Sequence, residues 1–340
     1  MATTQDASVG IGVESAFKTT ITPTRWYEFT DLNLDYKPER KQGKGLRVTS
    51  RYARSARRVT TQTLSEGSLT LEAVTKGMGL LLQAALGSGT STLVSGTTYQ
   101  QVFTDGDAPN SLTVQMGLPR EDGTIDPYTF PGCVVTNWSL TAAKDEIVTM
   151  KFDLDGGGLI DTSTALTAVS YPSAPNLFHF AQGSLVASGG SFTAPTTTAL
   201  ASYASSTTLA NFTEFELESN NNLTGGETTL GSAGVRSTKP RPGLREGKGK
   251  FKAIYTDTVQ RTNFINDTEF GVILTFTTTE SLSTGFATMQ VIIPAIKLDG
   301  GLPNPNGGDV PEFDGSFTIL DNLSAAHPIW IVLRTGDTAL

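Results

Sequence analysis

Cysteine occurs once in 340 residues, at Cys133, which excludes an internal disulfide framework and any cluster of cysteine metal ligands. Histidine occurs only twice, so the commonest general base and metal ligand is nearly missing. Charged residues make up 17% of the chain, against about 25% in typical proteins. Acids exceed bases, 33 to 25, for a formal charge of −8. Such a surface repels nucleic acid as a whole, and a general DNA-gripping role is not expected. No apolar run approaches the roughly 18 residues of a membrane-spanning helix. The first ten residues carry neither a basic n-region nor an apolar h-region, so a cleaved secretion signal is not expected and folding in the cytoplasm is.

The positions left over are small and neutral. Glycine and proline are abundant, 35 and 16 residues, and threonine and serine fill many others. That mixture disfavours a helical bundle or coiled coil and suits short strands separated by turns. The expected class is all-β with a minor helix, and the length fits about two domains of ordinary size.

Several segments show the alternation of strands. The stretch WYEFTDLNLD at 26–35 predicts a strand with a bulge, preceded by a polar N-terminal arm. Residues 37–58 then read as a long basic loop, with Lys37, Arg40, Lys41, Lys44, Arg47, Arg51, Arg54, Arg57 and Arg58 against the single acid Glu39. A strand is expected at 60–74. At 75–86, Met78, Leu81, Leu82 and Ala85 recur at helical spacing with Gly87 placed as a C-cap. Further strands are expected at 111–118, 134–142 and 147–154.

The second half repeats this order: a strand at 212–219, a Gly-, Thr- and base-rich loop at 224–247 carrying Arg236, Lys239, Arg241 and Arg245, and a strand at 248–255. A polar connector at 257–267 with helical potential and strands at 270–277, 288–298 and 313–320 follow. Phe29 and Gly67 match Phe215 and Gly249 about half a chain apart, as a duplication requires. The boundary is placed in the Thr-, Ser- and Pro-rich run 161–175, giving domains 1–170 and 171–340.

No catalytic constellation stands out. His179 lies between two phenylalanines and His327 before a proline, positions that suit structural roles, and no Gly-x-Ser-x-Gly elbow occurs. Residues 243–249 depart from the phosphate-loop pattern. Asp153, Asp155 and Asp161 are spaced like a sparse calcium loop, but Thr164 stands where a bidentate Glu is required. No enzyme activity, metal or cofactor is expected. The two basic loops remain. Both interrupt the same strand pair, and an acidic protein has concentrated its bases there, which points to contact with acidic surfaces.

Residues 10–17 (GIGVESAF), Pro23-Thr24-Arg25-Trp26, Gly45-Leu46-Arg47 in the basic loop, and Glu66-Gly67-Ser68-Leu69 leading to Ala84-Ala85-Leu86-Gly87 resemble the major tail tube proteins of long-tailed bacteriophages. Lys18 departs from the family's glycine at that point. The resemblance implies tandem β-sandwich domains whose inner sheets join into a multi-chain barrel, in rings that stack into a hollow virion tube. Combined with the repeat at a half-chain offset, it leads to the expectation of three chains per ring with pseudo-sixfold symmetry. It also implies a long loop between rings, here Arg40, Lys41, Lys44, Arg47, Arg51, Arg54, Arg57 and Arg58, with Arg236, Lys239, Arg241 and Arg245 in the second loop. The partners implied are the chain itself, a tape measure protein inside the tube, and tail terminator and distal tail proteins at its ends. DNA would pass through without specific binding. The alternative class is a secreted adhesin or carbohydrate-binding β-sandwich, which calls for a secretion signal and exposed aromatic residues.

Overall fold

The computed structural model describes residues 3–106, 110–209, 211–303 and 310–340. The first half supplies β1 (Ser8–Val13), β2 (Arg25–Tyr27), β3 (Asp31–Gln42), β4 (Arg58–Glu72), α1 (Gly79–Leu86), β5 (Gly87–Ser95), β6 (Thr98–Asp105), β7 (Leu112–Pro119), β8 (Ile125–Ala143) and β9 (Thr149–Asp155). The second supplies β10 (Gly183–Ser188), β11 (Phe192–Thr193), β12 (Ser202–Tyr203), β13 (Thr207–Thr208), β14 (Phe212–Asn220), β15 (Glu246–Ile254), α2 (Val259–Ile265), β16 (Phe270–Ser281), β17 (Phe286–Leu298), β18 (Glu312–Ile319) and β19 (Trp330–Thr335). The chain is all-β with minor helix, and every strand pair is antiparallel.

Hydrogen bonding runs through the first half in the order β2, β1, β7, β8, β9, β4, β3. Through the second it runs β13, β10, β16, β17, β18, β15, β14. In each half one long strand serves two sheets. β8 pairs with β7 as far as Cys133 and with β9 from Val134 onward; β17 pairs with β16 and then, at Ile296–Leu298, with β18. The long strand thus links two sheets in each half; the one holding β3, β4, β9 and β8, or β14, β15, β18 and β17, is labelled the inner sheet and the other the outer.

The halves join at two seams. On its second edge β8 pairs with β14, from Asn137↔Asn220 to Ala143↔Glu214, so the inner strands follow one another as β3, β4, β9, β8, β14, β15, β18, β17. The β5–β6 hairpin reaches the other half through β19, which pairs with both β6 and β17. Period-2 alternation sends Leu69, Trp138, Phe152, Phe215, Phe251 and Phe317 into one core shared by both halves. Fully burying side chains of this size is worth about 1.5–3 kcal/mol each.

Two glycines hold matching places. Gly67 lies opposite Leu34, and Gly249 opposite Leu217. A Cβ on Gly67 would sit 1.7 Å from the Asn33 carbonyl oxygen, and one on Gly249 would sit 2.7 Å from that of Glu216. Only glycine lets the backbones approach this closely.

The helix at 75–86 starts later than its apolar spacing predicts, at Gly79, because Gly77 has a left-handed φ of 89°. Its end is as expected, with Gly87 at φ 98°. Leu80, Leu81, Leu82, Ala84, Ala85 and Leu86 are all buried, as befits a helix apolar on every side.

Other expectations need correction. The segment 26–35 is two strands, not one bulged strand: β2 belongs to the outer sheet against β1, and β3 to the inner sheet against β4. The polar arm contains β1, whose Val9 and Ile11 are fully buried. The strand expected at 134–142 is the second part of the much longer β8, and β5, β6, β10 and β19 were not anticipated. The connector at 257–267 does hold a helix, α2.

Candidate assembly surfaces

The basic segment 37–58 is mostly a β-hairpin and not a loop. β3 and β4 stay paired from Asp31↔Thr70 out to Gln42↔Arg58, which leaves only residues 43–57 as the connection. Main-chain bonds hold such a ladder, so it persists without apolar side chains. β4 leaves β9 after Glu66↔Asp155. Residues 36–42 therefore project beyond the sheet, by about 23 Å at 3.3 Å per residue. Arg40 and Lys41 lie on the projecting part of β3, Arg58 begins β4, and Lys44, Arg47, Arg51, Arg54 and Arg57 lie in the connection. All are exposed except the half-buried Arg54. At the base of the projection Lys37 is paired with Glu66 at 2.6 Å.

Three side chains at the tip were overlooked among the charges. Leu46, Val48 and Tyr52 are 100%, 86% and 91% exposed. In the sequence they are apolar residues in a segment otherwise dominated by charge.

The second basic segment behaves differently. After β14 the chain makes an irregular excursion over residues 221–245, closed by bridges at Thr224↔Arg241 and Thr228↔Arg236. It folds back on the base of the hairpin, where the Thr63 amide donates to the Gly234 carbonyl at 2.9 Å. Arg236 pairs with Asp155 at 2.7 Å, and its carbonyl accepts from the Lys18 ammonium. Burial pushes the Asp155 carboxyl above its usual range while Arg236 pulls it back. Arg245 donates to the Gly106 carbonyl at 2.6 Å, and burial lowers the Lys239 ammonium. The backbone of Arg241 is tied to Thr224. The two loops thus share a topological position but not a geometry: one projects, the other braces it.

The inner sheet turns a polar face away from the core. Across it lie Asp31, Asn33 and Asp35 of β3, Glu66 and Ser68 of β4, Asp153 and Asp155 of β9, and Glu214, Glu216 and Glu218 of β14 facing Lys252, Lys250 and Lys248 of β15. Lys252 reaches Glu214 at 2.6 Å, and Lys250 reaches Glu216 at 3.1 Å and Glu214 at 3.4 Å. The Lys252 hydrogen bond lowers Glu214 to about 2, and both lysines are raised in return. Asn137 donates to Asp153 and to Glu218, and so carries the polar network across the seam between halves. Acids outnumber bases on this face, although Lys37, Lys151 and Arg236 pair with Glu66, Asp153 and Asp155.

The candidate chemical residues are separated. His327 Nδ1 lies 2.7 Å from Asp105 Oδ1 and edge-on to Trp330, whereas His179 bridges to Ile147. Asp153 meets Lys151, Asp155 meets Arg236, and Asp161 closes a turn with Ser163 and Thr164. Among the described residues no group of three potential ligands converges, and no helix is long and apolar enough to cross a membrane.

Residues 4–318 match the family model described as phage tail tube protein. No curated protein matches the chain. The family match fixes a structural role, and the adhesin reading gains no support from it.

Proposed function

The chain belongs to the phage tail tube protein family, a structural component of the virion tail, and from that premise we propose that three copies close into a ring and that rings stack head to tail into the tube. The repeated strand order carries the reading. Residues 1–170 and 171–340 are taken as tandem copies of one sandwich, each contributing four inner strands, so three chains supply six sandwiches around the axis. β3 stands at one end of the inner strand series with only β4 beside it among the described residues, and an open edge is a template for another chain. Closure around a ring removes the edges.

The polar face of the inner sheet becomes the lumen. Duplex DNA carries a charge about every 1.7 Å, so an acidic lining lets it pass without adhesion during ejection. The projecting hairpin is the inter-ring joint. Its bases meet acids of the neighbouring ring, each pair worth only about 0–1 kcal/mol, so the joint depends on several together. Arg236 and Arg245 are engaged within the chain, so the contact is taken to be made by Arg40, Lys41, Lys44, Arg47, Arg51, Arg54, Arg57 and Arg58, with Lys239 and Arg241 from the second segment. A tape measure protein fills the lumen during assembly in the host cytoplasm, and terminator and distal tail proteins cap the ends.

Electron microscopy of the purified protein tests this. Wild type should give stacked rings or tubes, and replacing Arg47, Arg51, Arg54 and Arg57 with Ser should leave a folded, soluble chain that polymerises poorly. A quadruple variant that builds tubes of normal length and salt tolerance would remove the hairpin from the joint. Wild-type protein that never forms rings would remove the reading itself.

A further inference from the structure

The two helices follow corresponding strands, β4 and β15, and pack against corresponding strands, β8 and β17. Their surroundings differ. Every residue of α1 except Gln83 is buried, and none of α2 is. α1 packs against β5, β6 and β8 of its own half, and among the described residues α2 has no hairpin like β5–β6 beside it; the second half adds one bond to α1. Asn221, just past β14, donates from its buried amide to the carbonyls of Ala85 at 3.1 Å and Val135 at 2.9 Å. One side chain thus ties the last turn of α1 and the seam strand β8 to β14. α2 instead stands beside an open cavity of about 360 Å3 that reaches the core at Phe251, Phe270 and Phe313. Its Val259 and Ile265 are 53% and 63% exposed.

We infer that α2 and this cavity receive the β3 edge of a second copy of this chain in the same ring, repeating between chains the joint that β14 makes with α1 and β8 within one. The inference rests on the ring reading above and adds the receiving surface. β3 corresponds to β14: it pairs with β4 as β14 pairs with β15, and Leu34 faces Gly67 as Leu217 faces Gly249. β14 has a second neighbour, β8, whereas among the described residues β3 has none. Asn221 lies four residues beyond Leu217, and four beyond Leu34 is Pro38. Tyr36 and Pro38 would therefore approach α2, on the face that Leu34 turns to the core. Proline suits such a strand edge because it has no N–H to leave unpaired. A second copy supplies both what α2 lacks and what β3 lacks.

Two variants of the full chain test the inference. Val259→Arg with Ile265→Arg replaces two exposed apolar side chains with long charged ones whose burial under a second copy is costly, which opposes docking. Monomers of this variant should unfold at the wild-type midpoint, and assembly should fall by about tenfold or more where wild type forms rings. In the second variant, Ile265→Cys and Tyr36→Cys are joined by a short bis-maleimide; Cys133 is buried and does not compete. Links within a ring should give a ladder that stops at three chains. Wild-type assembly by the arginine variant, a ladder running past three chains, or no inter-chain link at all would overturn the inference. Wild type that forms no rings would instead overturn the ring reading.

Discussion

Asn221 offers a direct measure of how firmly the halves are joined. It is 1% exposed, and its amide serves two carbonyls, those of Ala85 and Val135, that belong to the other half. Asn221→Ala removes both bonds and leaves two buried acceptors without that donor, at about 1–3 kcal/mol each. The expected loss is about 2–6 kcal/mol in total, a large share of the 5–15 kcal/mol typical of a folded domain. Asn221→Asp should cost more at neutral pH, because a carboxylate then faces two carbonyl oxygens and cannot donate. Its folded pKa would lie above the ordinary value of about 3.9, so the penalty should shrink as pH falls and the neutral acid regains one donor. Urea unfolding followed by tryptophan fluorescence reads this well, since Trp138 lies on β8 directly opposite Ser219 of β14. A loosened seam should also separate the unfolding of the halves into two transitions. If Asn221→Ala changes stability by less than about 0.5 kcal/mol, the level of an ordinary surface substitution, the seam does not depend on this side chain and the reasoning fails.

Three further outcomes are expected. Glu214 is lowered from 4.5 to about 2 by Lys252; a carboxyl depressed in the folded state stabilises fully above pH 4.5 and loses that contribution as pH falls toward 2. Thermal melts of Glu214→Gln should therefore be less pH-dependent across that interval than wild type, and parallel curves would contradict the assignment. Gly67→Ala, whose Cβ meets the Asn33 carbonyl at 1.7 Å, should destabilise by about 3 kcal/mol or more, whereas Gly189→Ala, with nothing within 4 Å, should stay within about 0.5 kcal/mol; equal melting temperatures would refute the close-approach argument. Amide exchange at 44–53 should be fast in the monomer and protected in tubes, since these residues lie beyond the Gly43–Arg57 bond that closes the hairpin, while Thr63, bonded to Gly234, should be slow in both. Protection of 44–53 before assembly would show the tip to be preordered.

The class, the buried helix with its glycine stop, the inner strands and the matching glycines were legible because alternation and spacing survive in the side chains. β1 was not, because SVGIGV carries glycines where bulk is impossible: a Cβ on Gly10 would lie 2.8 Å from Pro23 and 3.0 Å from the Trp26 indole. Read without its neighbours, such a strand resembles an arm. The hairpin was hidden for the opposite reason, since its ladder projects from the sheet and needs no apolar face. The charges of the second excursion were visible, but their use was not: the Arg236 contact with Asp155 joins residues far apart in the sequence, and no local pattern announces it. The exposure of α2 was likewise invisible, because it appears only by comparison with the buried α1.

The central claim is that one chain provides two equivalent sandwiches of a ring. A cryo-electron microscopy map of assembled tubes decides it most directly. The expected map shows three chains per ring, with six sandwiches in near-sixfold arrangement and the β3 edge of each chain beside α2 of the next. A ring of six separate chains, or one in which the two halves of a chain occupy unrelated positions, would contradict it.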